Sequence, residues 1–75
     1  MNITIKCFAS LARFTPAEAD AFPLAPGETV AELIARLGIP PEEIKLVFVN
    51  GNHVEVGTVL TPGDRVGLFP AVGGG

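Results

Sequence analysis

The chain has no tryptophan and no tyrosine, and only one cysteine, one histidine and one methionine among its 75 residues. A single cysteine excludes an internal disulfide and any cysteine-rich metal cage. Charged residues make up only 17%, and five basic against eight acidic side chains leave a net charge of −3. That balance argues against a nucleic acid or an anionic membrane as partner. No apolar stretch approaches the ~20 residues needed to cross a bilayer. No basic, apolar leader opens the chain, so a cytoplasmic location is expected. What is abundant is aliphatic: hydrophobic residues reach 48%, which excludes disorder and must supply the core together with five phenylalanines. At this length one small domain is expected. Nine residues are glycine, and three of them are the last three.

The opening segment Asn2-Ile3-Thr4-Ile5-Lys6-Cys7-Phe8 alternates with period two and is β-branched, which predicts a half-buried strand. Ile3, Ile5 and Cys7 form the face to bury, leaving Phe8 on the side of Thr4 and Lys6. Ala9 to Phe14 predicts one helical turn, stopped by Thr15-Pro16. Asp20 to Leu24 reads as a short strand that Pro23 confines to an edge or an end. The clearest helix follows Pro26-Gly27. Thr29 and Glu32 form a capping box, and Val30, Leu33, Ile34 and Leu37 make one apolar stripe. Gly38 and Pro40-Pro41 end it. Pro41 to Ile44 predicts a further short turn with acids at its start. Leu46 to Val49 is an apolar strand, Asn50-Gly51 a type I′ hairpin turn, and Val54 to Val56 the expected return. After the turn Thr61-Pro62-Gly63-Asp64, the segment from Arg65 to Phe69 forms the last strand. There Val66 and Leu68 share one face, and Arg65, Gly67 and Phe69 the other. This order predicts an α+β domain with one helix on one face of a mixed sheet.

The inventory for chemistry is thin. His53 has no neighbouring ligand at metal spacing and reads as a solvated hairpin residue. Cys7 alternates in phase with the core and reads as an inert buried thiol. Glu42-Glu43 starts a helical turn, and Asp64 belongs to a tight turn. Gly73-Gly74-Gly75 is no phosphate loop, because no Lys-Ser/Thr and no helix follow. By elimination, the chain is not expected to act as an enzyme alone.

Two readings of the terminal glycines stay open. One is a frayed, functionless end. In the other, the carboxylate of Gly75 is the reactive group, and the side-chain-free run of Gly73 and Gly74 threads a narrow channel in another protein. Strand parity places Phe8 and Phe69 on the face away from the helix. If their strands are neighbours, these two and Val47 form an apolar docking patch near the root of the tail; a covering loop is the alternative.

Several segments together resemble the MoaD/ThiS sulfur-carrier family, most closely its MoaD branch. They are Phe8-Ala9-x-x-Ala12-Arg13, Thr29-Val30-x-x-Leu33, Val49-Asn50, and Gly63-Asp64-Arg65-Val66-x-Leu68-Phe69-Pro70-x-Val72-Gly73-Gly74-Gly75. The resemblance spans essentially the whole chain and is most specific in the last segment. It implies a ubiquitin-like β-grasp fold over residues 1–70, with a flexible glycine-rich tail over 71–75. It also implies that an E1-like enzyme adenylates Gly75 with ATP, and that a persulfide donor then converts it to a thiocarboxylate. In the MoaD branch the partner is the large subunit of molybdopterin synthase, where the sulfur enters the dithiolene of the molybdenum or tungsten cofactor. Phe8 and Phe69 match positions of that family's apolar docking surface. No cofactor is expected on this chain itself. Gly73 stands where the family commonly has a small polar residue, and Pro70-Ala71 where it often has Pro-Pro. The related expectations are a carrier for thiamin or tRNA thiolation, or a protein modifier. Outside the resemblance stands a non-covalent interaction module.

Overall fold

The structure, a computed structural model, describes residues 1–71. Five strands form one mixed sheet: β1 (Asn2–Cys7), β2 (Phe22–Pro23), β3 (Ile44–Val49), β4 (Asn52–His53) and β5 (Arg65–Pro70). Their spatial order is β2-β1-β5-β3-β4. The first and last strands lie side by side and parallel at the centre, with Ile5 opposite Val66 and Cys7 opposite Leu68. β3 runs antiparallel to β5, placing Val47 opposite Leu68 and Phe48 opposite Gly67.

The one α-helix among the described residues, α1 (Val30–Leu37), lies on one face. Its apolar stripe of Val30, Leu33 and Ile34 is buried against Ile3, Ile5, Val47, Val66 and Leu68. Each such side chain contributes about 1.5–3 kcal/mol by leaving water. The expected capping box is present: Thr29 Oγ1 accepts from Glu32 N at 3.2 Å, and Glu32 Oε1 accepts from Thr29 N at 2.9 Å. Gly38 ends the helix in the left-handed conformation at φ 77°.

β3 begins two residues earlier than expected, at Ile44 instead of Leu46, and two strands are displaced or much shortened. The return strand of the hairpin is Asn52–His53 instead of Val54–Val56. Asn50 and Gly51 do form the turn, both at positive φ (53° and 85°), as a type I′ turn requires. Val54 N still donates to Val47 O of β3 at 3.0 Å, but past it the backbone serves another element. Val56 O accepts from Ala31 N at 2.8 Å and Thr58 O accepts from Val30 N at 3.0 Å. These are two of the amide groups that a helix start leaves without intrahelical partners. The segment therefore completes the helix N-terminus and does not extend the sheet. Likewise β2 is only Phe22–Pro23, because Ala19–Ala21 closes into a 3-10 turn before it. The turn expected at Ala9–Phe14 is a 3-10 helix over those residues, and the one expected at Pro41–Ile44 is a 3-10 helix of Pro41–Glu43 only, because Ile44 already opens β3.

Two acidic residues are buried and tie loops to the frame. Glu28 receives Arg36 in a two-pronged contact, Nε to Oε2 at 2.7 Å and Nη2 to Oε1 at 2.9 Å, and also accepts from Ala25 N. Asp64 accepts from Thr61 N, Thr61 Oγ1 and Asn50 Nδ2. No buried side-chain nitrogen or oxygen among the described residues lacks a partner.

Candidate functional site

The helix covers one face of the sheet, and the described residues leave the other face open. On it, side chains at alternate positions of β1, β5 and β3 come together. Phe8 follows β1 directly, and its N–H donates to Leu68 O at 3.0 Å, which extends the parallel ladder by one residue. Its ring stacks on Phe69 with centroids 4.3 Å apart and planes 6° apart. Phe48 meets Phe69 edge-on, at 5.4 Å and 81°. Offset-stacked and edge-to-face pairs are the two favoured aromatic geometries. Immediately after Phe8, Ala9 has φ 52°. This left-handed residue, costly for a side chain bearing Cβ, turns the chain into the 3-10 helix and anchors Leu11 in the core.

Val47, expected beside the two phenylalanines, lies on the other face. It is 3% exposed and packs in the core. The antiparallel register decides this, since Val47 pairs with the buried Leu68 while Phe48 pairs with Gly67 of the open face. The third aromatic of the patch is therefore Phe48. In Leu46-Val47-Phe48-Val49 both parities are apolar, so alternation alone held no contrast to choose a face. The β-branched pair Val47 and Val49 was the available signal.

Between the three rings lies a shallow depression of about 330 Å³. Gly67 forms part of its floor, and the stems of Lys6 and Arg65 part of its sides. The surface inside it is almost wholly carbon. A Cβ on Gly67 would stand 3.4 Å from Phe8 Cε2 and 3.6 Å from Phe69 Cε1. A side chain at this position would therefore occupy space beside both rings.

Electrostatics sharpen the face. Arg36 is engaged by Glu28, and Arg13 by Glu43 at 3.2 Å. Lys6 and Arg65 have no carboxylate within ion-pair distance among the described residues. Asp64, next to Arg65, turns its carboxylate inward to Asn50 and Thr61.

The other candidates carry no reactive arrangement. Burial raises the Cys7 thiol above its ordinary value, with a hydrogen bond to Thr15 opposing, so the group stays protonated and weakly nucleophilic near neutrality. His53 is exposed, 5.7 Å from the ring of Phe48. Glu42 and Glu43 follow Pro41 in the 3-10 turn, and Glu43 O accepts from Ala71 N at 3.0 Å, fastening the chain just past β5. No group of three His, Cys, Asp or Glu among the described residues could hold a metal ion. No helix there is long and apolar enough to cross a membrane. Gly73, Gly74 and Gly75 lie outside the described residues.

The parallel pairing of first and last strands, the single capped helix and the order β2-β1-β5-β3-β4 define a ubiquitin-like β-grasp protein. Crystallised SAMP1 from Haloferax volcanii superposes with a TM-score of 0.69 at 26% identity, each chain covered in full. No curated protein matches the sequence significantly. The ThiS family matches over residues 5–75, and the chain belongs to that family. It is a ubiquitin-like sulfur carrier or protein modifier of the kind that works with E1-like activating enzymes, a class generally without catalytic activity of its own.

Proposed function

We propose that the chain carries sulfur on Gly75 for assembly of the molybdenum or tungsten cofactor, as the small subunit of a molybdopterin synthase. One observation supports this above the others. The strand that bears Phe69 and floors the aromatic depression ends at Pro70, and in the sequence only Ala71 and Val72 stand between it and Gly73-Gly74-Gly75. A docking face and a side-chain-free terminus thus adjoin along the chain. Four residues beyond Ala71 span at most ~14 Å when extended, enough to enter a recessed site while the domain docks outside.

The chemistry follows from a carboxylate that is ionised at neutral pH. Its oxygen attacks the α-phosphorus of ATP in the activating enzyme, and pyrophosphate leaves. A persulfide sulfur then displaces AMP from the acyl carbon, and a thiol reduces the resulting acyl disulfide to the thiocarboxylate. In the large subunit of the synthase, that sulfur passes to the pterin precursor and the carboxylate is restored. This chain supplies the fold, the docking face and the terminal carboxyl; the partners supply the catalytic groups.

A second reading keeps the activation step and changes the acceptor to a thiamin precursor, a tRNA base or a lysine of another protein. The match to the ThiS family, which singles out no branch, favours keeping it. The test is mass spectrometry after incubation with ATP, an E1-like activating enzyme and a persulfide donor. Replacement of one oxygen by sulfur, lost on deletion of Gly75, is expected. Turnover of the precursor by an added synthase large subunit separates the first reading from the second, and lysine conjugates identify a modifier. No mass change leaves only a non-covalent module.

A further inference from the structure

The open sheet face has a property that an apolar docking patch does not require: it is concave, and its concavity depends on one residue. In β5 the outward positions are Arg65, Gly67 and Phe69, a charge, a gap and a ring. Gly67 has no positive φ that would demand glycine there, and it sits in regular register with Lys6 and Phe48 on its two sides. A methyl at that point would meet the rings at ordinary contact distance, so the strand could accept alanine. The backbone does not call for glycine; the depression does.

The charge around it is equally specific. The chain is net negative, with eight acidic side chains. None of the eight lines the depression, whereas Lys6 and Arg65 both do. Their aliphatic stems face its carbon interior, as long basic side chains do when they cover apolar surface and keep the charge in water. The two cations that face the depression are also without an internal carboxylate among the described residues. Desolvating them against a neutral or basic surface would be costly, and carboxylates opposite them would offset that cost.

We propose that the depression over Gly67 is a socket for one apolar side chain projecting from the protein partner, flanked there by carboxylates that meet Lys6 and Arg65. Gly67 is the specificity-determining residue, because the space left by its absent side chain sets how large a knob can enter. Phe8, Phe48 and Phe69 form the walls. The cations set orientation and encounter rate, and the socket sets the lifetime of the complex. The proposal deepens the carrier reading and rests on it only for the choice of probe, the E1-like activating enzyme used in the sulfur-transfer assay.

The experiment measures association and dissociation rates of that enzyme with the full chain and three variants, across a salt series. Gly67→Leu fills the socket and is expected to weaken binding about tenfold or more, mainly through faster dissociation. Gly67→Ala, which fits without moving the strand, is expected to give a smaller loss in the same direction and decides the matter if the leucine variant fails to fold. Lys6→Glu combined with Arg65→Glu is expected to slow association about tenfold at low salt and to flatten its salt dependence. Unchanged dissociation for both glycine variants, or unchanged salt dependence for the charge-reversed chain, overturns the proposal. Thiocarboxylate formation on the unmodified chain is scored separately. Sulfur transfer with variant-insensitive binding refutes the socket alone, and variant-sensitive binding without sulfur transfer refutes the carrier reading alone.

Discussion

Asn50 and Asp64, fourteen residues apart, are joined by a 2.9 Å hydrogen bond from Nδ2 to Oδ1. The other end of the same carboxamide, Oδ1, accepts from Arg65 N at 2.9 Å. One turn residue thereby fixes both the hairpin β3-β4 and the start of β5, and hence the register that puts Phe48 beside Gly67. Asp64→Ala would leave Asn50 Nδ2 and Thr61 N without their acceptor. A buried donor stripped of its partner costs about 1–3 kcal/mol. For a chain of this size each kcal/mol lowers the melting temperature by about 4–8 °C. A calorimetric fall of at least that much is expected for Asp64→Ala; a change within 2 °C would show the network to be dispensable.

Acid should expose the same network together with the Glu28 pair. Burial by itself would raise both carboxyls, but the hydrogen bonds outweigh it. For Glu28, Arg36 and Ala25 N hold the group below its ordinary value of 4.5. For Asp64, Thr61 and Asn50 hold it below 3.8. A folded-state value below the unfolded one means that the unfolded chain takes up protons first as pH falls. Stability from these groups is therefore complete above the ordinary carboxylate range and is lost as pH drops through it towards the folded values. Urea unfolding at a series of pH values is expected to show a plateau near neutrality and a decline below about pH 5. The decline should be shallower in Glu28→Gln combined with Asp64→Asn. An equally steep decline in that double variant would assign acid sensitivity to other groups.

The sequence was most informative where one residue type had one job. Thr29 with Glu32 gave the helix start, Gly38 its end, and Asn50-Gly51 the hairpin turn, because each meets a local backbone requirement that few alternatives satisfy. The outward placement of Phe8 and Phe69 was legible too, since Ile3, Ile5, Val66 and Leu68 marked the opposite parity clearly. Val47 against Phe48 was not, because a strand apolar on both faces takes its orientation from its neighbours and not from its own pattern. The return strand stops short of Val54–Val56 for a related reason: Val54 N still bonds Val47 O, but Val56 O and Thr58 O are committed to the amides of Ala31 and Val30, tertiary partners that no local signal announces. The burial of Glu28 has no local signal either, because a lone acid before a helix looks solvent-facing until Arg36, eight residues further on, closes over it.

The helix start supports a prediction of its own. Thr29→Ala removes the acceptor of Glu32 N and breaks the capping box. Loss of such a cap costs about 1 kcal/mol, within a range of about 0.5–2. The effect should be confined to stability, because Thr29 lies on the helix side of the sheet, away from the aromatic face. A lower melting temperature with unchanged affinity for the activating enzyme is expected. Weaker binding by the folded variant would place part of the interface on the helix side.

Val47 and Phe48 are adjacent, yet they lie on opposite faces, so truncating each should affect a different property. Val47→Ala removes two methyl groups from a site 3% exposed, in contact with the core under α1. At ~0.8 kcal/mol for each buried carbon plus a cavity term, the loss of stability should reach about 2 kcal/mol. Affinity of the folded variant should be unchanged. Phe48→Ala removes a half-buried ring whose main partners are Phe69 and His53 on the open face. Its stability cost should be the smaller of the two, while affinity for the activating enzyme should fall by about 2 kcal/mol, the size typical of a residue central to an interface. Chemical unfolding and titration calorimetry on both variants give the four numbers. If the two variants lose affinity alike, the face opposite the helix is not the docking face. If only Phe48→Ala does, the boundary between core and interface runs through a single peptide bond of β3.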